Sequence, residues 1–201
     1  MDYINKIKND SNSIDYIFKT IKMNNNIIDI ITIDTISNSN SINEFILKNI
    51  SKINYYNEKE LSEYLLNYLP AISILEINNY DDIINKLLNG FTIIILNNNY
   101  IIGVETREDL SRGIQESDYE KSITGPKDSF NEHFNTNIGL IRKRIKDINL
   151  KLENIEIGKY TKTNVGIMYI NNICKQELKE KIINNLKNIN IDGIIDSGYL
   201  K

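Results

Sequence analysis

Hydrophobic residues recur along this chain with two different spacings, and the change from one spacing to the other predicts strands and helices. Residues 26–36, "NIIDIITIDTI", are apolar and β-branched, which favours a strand. In residues 41–53 the apolar positions recur every three or four residues, as on an amphipathic helix. A second helix is predicted over 57–69, and it ends before Pro70 because proline cannot continue a helix.

Start and stop patterns set the expected ends of these elements. Ser41 followed by Glu44 matches a capping box, so we expect the helix over 41–53 to begin at Ser41. Residues 71–77 are predicted to form a strand, and 81–90 a short helix that ends at Gly90.

A β-hairpin over 91–107 is the clearest element of the first half, since two β-rich runs flank an Asn-rich turn. The polar residues before position 26 are expected to fray. Residues 108–128 are polar and contain Gly125 and Pro126, so they are predicted to be a linker between two lobes.

The second half repeats the alternation of strands and helices. A helix is predicted from Ser129, where Glu132 completes a second capping box. One apolar face of that helix is expected to comprise Phe130, Phe134, Ile138, Ile141 and Ile145. The remaining predicted elements are a hairpin of 150–158 and 163–170, a helix over 175–189 and a short strand over 191–196.

The predicted fold class is therefore α/β, with two small lobes of mixed sheets flanked by helices. The expected lobes are residues 1–107 and 129–201, joined by the linker 108–128. The order of strand, polar corner and helix in 26–50 recurs in 163–186, which suggests that the lobes are related.

Composition excludes several classes of protein. The chain has 201 residues, of which 41% are hydrophobic and 25% charged, and this balance is typical of a globular protein. A net charge of −3 without a basic stripe argues against nucleic-acid binding. The apolar runs are far shorter than a membrane helix needs, and no secretory signal is expected. One cysteine and one histidine leave neither a disulfide nor a Cys/His metal cluster, and no cofactor is expected.

Catalytic motifs are absent from the sequence. It contains neither a P-loop nor a G-x-G-x-x-G loop, so neither of those phosphate cradles is present. His133 and Cys174 lack a partner motif, and a surface histidine and a packing cysteine are the alternatives to catalytic roles. The pairs Asp81–Asp82 and Asp192/Asp196 could act as acid and base, but aspartates are common at helix starts and turns. We therefore do not expect an enzyme.

Arginine is confined to residues 107–144, although lysine is used throughout the chain. Arg142 and Arg144 point roughly 200° apart on a helix, so they cannot share one exposed face. One of them could reach the lobe interface and bind a carboxylate through two parallel hydrogen bonds. Nearby acidic residues for that role are Glu116, Asp118 and Glu120. The alternative is that both arginines are solvated and favour the helix C-terminus.

The arginine-rich segment resembles a known family. Residues 112–170, which include "RGIQES", "GPKDSF", "NIGLIRKRIK" and "IGKYTKT", are similar to GerA-type spore germinant receptor A subunits, as is "INIDGIIDSGY" at 189–199. The resemblance is specific over about 88–201. Four positions depart from the family pattern, since Ser117 replaces Pro, Thr124 replaces Arg, and 128–129 replace Glu-Gly.

This resemblance implies a soluble N-terminal domain that faces the cytoplasm of the spore core, in a longer protein of the inner spore membrane. It implies a non-enzymatic role in coupling nutrient sensing and assembly, with B and C subunits and other A subunits as partners. The alternative role is binding of a small-molecule nutrient in the cleft between lobes. The residues that the resemblance assigns to coupling are Arg112, Glu116, Gly125, Pro126, Phe130, Asn137, Arg142 and Arg144.

Overall fold

A computed structural model describes residues 2–23, 25–53, 57–110, 130–194 and 197–200. The α-helices are α1 (Tyr3–Ser11), α2 (Ser39–Ser41), α3 (Lys48–Ile50), α4 (Glu58–Tyr68), α5 (Tyr80–Leu88), α6 (Phe134–Arg144) and α7 (Gln176–Lys187). The strands are β1 (Tyr16–Met23), β2 (Asn26–Ile33), β3 (Ile74–Glu76), β4 (Phe91–Leu96), β5 (Tyr100–Glu105), β6 (Leu150–Ile157) and β7 (Thr163–Ile170). A π-helical stretch, Ile42–Leu47, joins α2 to α3, and short 3₁₀ turns cover Asp34–Ile36 and Ser197–Leu200.

Five strands form one sheet in the order β1-β2-β4-β5-β3, and β6 pairs with β7 in a separate ribbon. The α/β class matches the prediction, and the division into two lobes stays a prediction. The mixed sheets do not match it, because every strand pair among the described residues is antiparallel. The central strand β4 is buried along its whole length, which explains its continuous apolar run.

The five-stranded sheet has a hydrophobic core on each face. On one face α1 and α5 pack against β2 and β4, through side chains such as Ile7, Ile31, Leu87 and Ile93. On the other face the 39–50 helical segment and α4 cover the sheet. Leu140 of α6 belongs to the first core, so the second half of the chain contributes to the core of the first lobe.

The first helix corrects the expectation that the chain frays before residue 26. Asp2 caps α1 by accepting a hydrogen bond from the backbone N–H of Asn5, and Ile7 has no exposed surface. Asn12 ends the helix in a left-handed conformation with φ of 32°. The apolar residues of α1 are few, but they lie on the side that meets the sheet.

The hairpin over 91–107 is confirmed as β4 and β5. Asn97 and Asn98 form its turn with φ of 49° and 58°, the left-handed values that asparagine tolerates. Gly90 ends the preceding helical region with φ of 81°, as predicted. The strand expected over 71–77 is shorter than predicted and covers Ile74–Glu76.

Both predicted capping boxes are wrong about where their helices begin. Asn38, rather than Ser41, caps the 39–50 segment, because its side chain accepts from the N–H of Ser41. α6 begins at Phe134, so Glu132 precedes the helix, and Ser129 lies outside the described residues. The first segment begins earlier than predicted because Asn38 caps it, whereas α6 begins later, after His133, whose side chain makes no capping hydrogen bond.

The predicted apolar face of α6 is correct in its middle and wrong at its ends. Ile138 is buried. Phe130 lies before the helix and is 65% exposed, and Ile145 is the residue after its last turn and is 37% exposed. The hairpin β6–β7 and the helix α7 match their predictions closely. The short strand expected over 191–196 is not formed in 191–194, the part of it that the structure describes.

Candidate coupling site between the lobes

Helix α6 lies between the five-stranded sheet and the β6–β7 ribbon, and two glycines permit this close packing. A Cβ atom on Gly139 would collide with the backbone carbonyl of Thr35 in the first lobe. A Cβ atom on Gly166 of β7 would lie 2.8 Å from the ring of Phe134 at the start of α6. Glycine inside a helix is normally unfavourable, so its presence at 139 is explained by this contact.

Arg142 joins α6 to the start of β1 through a buried ion pair. Its side chain is 1% exposed, and that of its partner Asp15 is 2% exposed. The guanidinium binds both carboxylate oxygens, with Nε donating to Oδ2 and Nη2 donating to Oδ1 at 2.7 Å. It also lies over the ring of Tyr16, 5.3 Å from the ring centre. This is the two-point geometry that arginine forms with a carboxylate.

Ser13 connects the ion pair to the β6–β7 ribbon. Its hydroxyl donates to Asp15 at 2.6 Å and accepts from Nη2 of Arg142 at 3.1 Å and from the backbone N–H of Leu152 at 2.8 Å. A serine hydroxyl has one donor and two acceptor sites, so all the hydrogen-bonding positions of Ser13 Oγ are occupied. Thr35 adds a hydrogen bond to Asp15 at 3.2 Å.

Burial also changes the acidity of the tyrosine in this cluster. Loss of hydration raises the pKa of Tyr16 from 10.0 to about 12, and the nearby positive charge of Arg142 opposes part of that increase. Two buried polar atoms here, Oη of Tyr16 and Nη1 of Arg142, have no hydrogen-bond partner among the described residues. The cluster is therefore tightly held but not completely satisfied.

Arg142 binds a carboxylate through two parallel hydrogen bonds, as predicted, but its partner is not one of the predicted residues. The carboxylate comes from Asp15, 127 residues earlier in the chain. The expected partners Glu116, Asp118 and Glu120 lie outside the described residues, as do the predicted site residues Arg112, Glu116, Gly125 and Pro126.

The other predicted site residues lie away from the ion pair. Arg144 and Phe130 are exposed. Asn137 braces the entry to α6, since its side chain accepts from the N–H of Asn131 at 2.9 Å and donates to the carbonyl of Asn131 at 2.7 Å. Asn137 therefore shapes the chain just after the predicted linker.

A cavity of about 400 Å³ opens beside the C-terminal end of α6. Its lining combines charged and apolar side chains from both lobes: Ile36, Leu88, Asn89, Gly90, Glu105, Arg107, Glu108, Asp109, Leu110, Lys143 and Lys146. Nε of Arg107 donates to the carbonyl of Asn89 at 3.0 Å, and Nζ of Lys146 donates to the side-chain oxygen of the same residue. Arg107 also pairs with the carboxylate of Glu105, with Nη2 and Oε1 3.5 Å apart.

Comparison with known proteins identifies the family. The family model "Bacillus/Clostridium GerA spore germination protein" matches residues 2–201. The chain belongs to the GerA family. Membership extends over nearly the whole sequence, well beyond the stretch from about residue 88 in which the resemblance was specific.

Individual GerA relatives support the assignment. The chain is 33% identical over 133 residues to spore germination protein XA of Bacillus anthracis, covering 65% of this chain and 27% of that protein. It is 30% identical over 142 residues to spore germination protein KA of Bacillus subtilis, covering 70% of this chain and 26% of that protein. The chain thus spans about a quarter of the length of these relatives.

A solved structure has the same fold. The crystal structure of the N-terminal domain of the A subunit of the Bacillus megaterium spore germinant receptor GerK3 matches with a TM-score of 0.74 and 26% identity. The match covers 98% of this chain and 74% of that chain. Among the described residues of the GerA-family chain, no helix is long and apolar enough to cross a membrane.

The GerA-type motif after β6 forms a structural contact. Thr161 accepts from the N–H of Ile194 at 3.2 Å, and Thr163 donates to the carbonyl of Ile194 at 3.0 Å. A Cβ atom on Gly193 would lie 2.6 Å from the methyl group of Thr161. This part of the motif therefore fastens the segment around 191–194 to the turn of the ribbon.

Proposed function

We propose that this domain couples nutrient sensing and subunit assembly to the membrane part of a spore germinant receptor. The observation that carries the proposal is the buried, two-point ion pair between Arg142 and Asp15, which ties α6 to the first lobe beside the ribbon of the second. Membership of the GerA family supports the role in germination.

We call the contact that the Arg142–Asp15 pair makes between α6 and the first lobe the joint. This joint favours two discrete arrangements of the lobes rather than a continuous range of positions. If the lobes shift slightly, Arg142 or Asp15 loses its partner while still buried, which costs roughly 3–5 kcal/mol. The closed state is not ideal either, because each unpaired buried group, such as Nη1 of Arg142, costs about 1–3 kcal/mol. A hydrated, open joint is the natural second state, and a partner that prefers one state shifts the balance.

The proposed setting is the inner spore membrane, with this domain on the cytoplasmic side, in the spore core. Its proposed partners are the B and C subunits and other A subunits, and it contacts the membrane only through other regions of the full-length protein. Likeness to the A subunit of GerK3 supports this placement. Arg144, on the exposed side of α6, is proposed to face a neighbouring subunit.

Germination assays of the full-length protein test the coupling role. Arg142→Lys keeps the positive charge but loses the two-point geometry, and we expect slower nutrient-triggered germination at unchanged protein abundance. Immunoblots of spore membranes measure the abundance. Lys159→Arg, which also exchanges one cation type for the other but on an exposed turn away from the joint and the cavity, is the matched control. Normal germination of the Arg142→Lys strain would refute the role of this ion pair.

A second candidate function is binding of a small nutrient in the 400 Å³ cavity beside α6. Its volume is in the range of ligand pockets, and Ile36, Leu88 and Leu110 give it an apolar floor below charged side chains. Calorimetric titration of the domain with amino acids, nucleosides and sugars tests this role. Lys146→Met should weaken any binding, whereas Lys159→Met, on an exposed turn, should not. If none of these compounds gives a heat of binding, the nutrient-binding role is rejected and only the coupling role remains.

A further inference from the structure

Lys151 on β6 is a buried lysine whose bonds reach into the first lobe. It is only 3% exposed. Its ammonium donates to the backbone carbonyls of Asp10 and Ser11 at the end of α1, and to the carbonyl of Ile148 at 2.9 Å. All three hydrogen bonds of the ammonium are therefore made to main-chain oxygens.

These contacts match what the end of a helix lacks. The last carbonyls of an α-helix have no partner within the helix, and the partial charge there is negative. A lysine ammonium has three donors, so it can satisfy several carbonyls at once. Desolvation, and next the positive charge of Arg142, lowers the pKa of Lys151. A charge held under such conditions depends on those carbonyls staying in place.

The same segment is fastened at two further points. At the start of α1, the N–H of Tyr3 donates to the side chain of Asn98 in the β4–β5 turn at 3.3 Å. Just after α1, the N–H of Ile14 donates to the carbonyl of Leu152 on β6 at 3.3 Å. The N-terminal end of α1 is thus held by the five-stranded sheet, and its C-terminal end is held by the ribbon and by Tyr80 of α5, whose hydroxyl donates to Asp10.

We propose that α1 is a strap between the two lobes and that Lys151 is the positioning residue that holds its C-terminal end. Separation of the lobes then releases the end of α1 together with residues 12–15, which include the partner of Arg142. This inference rests on the proposed coupling role, because it names the element that moves when the joint opens.

Hydrogen exchange of the 201-residue chain, followed by mass spectrometry, tests the strap. Lys151→Met removes the charge and the donors but keeps a side chain of similar length. We expect peptides covering residues 3–15 to exchange at least about tenfold faster, while peptides from β2 and β4 keep their wild-type rates. Lys159→Met, an exposed lysine on the same ribbon, is the control and should change nothing.

Two results would overturn the proposal. One is an unchanged exchange rate over residues 3–15 in Lys151→Met. The other is equal acceleration of β2 and β4, which would mean that the lysine only supports the whole fold. If the methionine variant cannot be purified, Lys151→Arg serves instead. Its planar fork cannot reproduce three bonds to carbonyls that converge on a single nitrogen, so the same peptides should exchange faster, and wild-type rates there would refute the proposal.

Reciprocity gives a second readout. If α1 links the lobes, loosening it from the sheet side must also loosen the ribbon. Ile7→Val, which removes one fully buried methylene, should therefore speed exchange in β6. No change in β6 would contradict the strap. Failure of the germination test on Arg142→Lys with success of these exchange tests would reject the coupling role and keep the strap.

Discussion

The buried ion pair allows a quantitative prediction about stability. Arg142→Met keeps most of the side-chain volume but leaves Asp15 as a buried carboxylate without its counter-charge, although Ser13 and Thr35 still donate to it. Removing one partner of a buried pair costs about 3–5 kcal/mol. For a domain of this size each kcal/mol lowers the melting temperature by roughly 2–4 °C. We therefore expect Tm to fall by about 6–20 °C.

A double-mutant cycle separates the ion pair from simple loss of packing. Asp15→Asn alone leaves the guanidinium buried without a counter-charge, and it should also destabilise strongly. The double variant removes both charges, so it should be more stable than the sum of the two losses predicts, by at least about 1 kcal/mol. Chemical denaturation followed by circular dichroism measures all four proteins.

The matched control is Arg144→Met, two residues along the same helix. Arg144 is exposed, so the change should alter stability by no more than about 1 kcal/mol, whatever contact it makes. Our reasoning about the joint would be refuted if Arg142→Met cost no more than Arg144→Met. Strict additivity in the cycle would refute it as well, because independent side chains do not couple.

Three further predictions concern packing and titration. Gly139→Ala should destabilise by about 1–3 kcal/mol in thermal melts, and more than Gly166→Ala, because the new methyl group at 139 meets rigid backbone and the one at 166 meets a ring that can turn. A hydrogen bond from Tyr169 lowers the pKa of Glu153. The stability that ionised Glu153 contributes to the fold is therefore present above the ordinary pKa of a glutamate and is lost as pH falls through the lowered value. Glu153→Gln should therefore be less stable than wild type at neutral pH and equal to it in acid. The pKa of Tyr16 is raised to about 12, so the stability that it contributes is present below pH 10 and is lost as pH rises through about 12. The pKa values of Tyr80 and Tyr169 are raised too, so ultraviolet titration should show at least three late phenols, and Tyr16→Phe should remove one of them.

Elements whose evidence is local were predicted well. The β4–β5 hairpin needs only two β-rich runs and two asparagines that accept left-handed angles, and all of these lie within 91–107. Helix α4 is set by its apolar spacing and by Pro70. Such features can be recognised without knowing what the element packs against.

Elements that depend on distant contacts were missed or misplaced. Helix α1 has a weak apolar pattern, and it is ordered because Ile7 fits the sheet and Lys151 holds its end from β6. The start of α6 was placed too early because the capping pattern at 129–132 gave no sign that Asn137 would bond both backbone groups of Asn131, which lies before the helix. Capping patterns identify candidate helix starts, but tertiary contacts determine which of these starts is used.

The joint also explains why arginine stands at 142 in a chain that mostly uses lysine. Asp15 offers two coplanar oxygens and Ser13 a third acceptor beside them, and a planar guanidinium meets all three at once. At 151 the acceptors are three main-chain carbonyls that converge on a point, which suits a compact ammonium. Replacing Arg142 with lysine and Lys151 with arginine should therefore weaken the hydrogen bonds at both sites. The shape of the acceptor set, which only the folded chain creates, decides which cation each site requires.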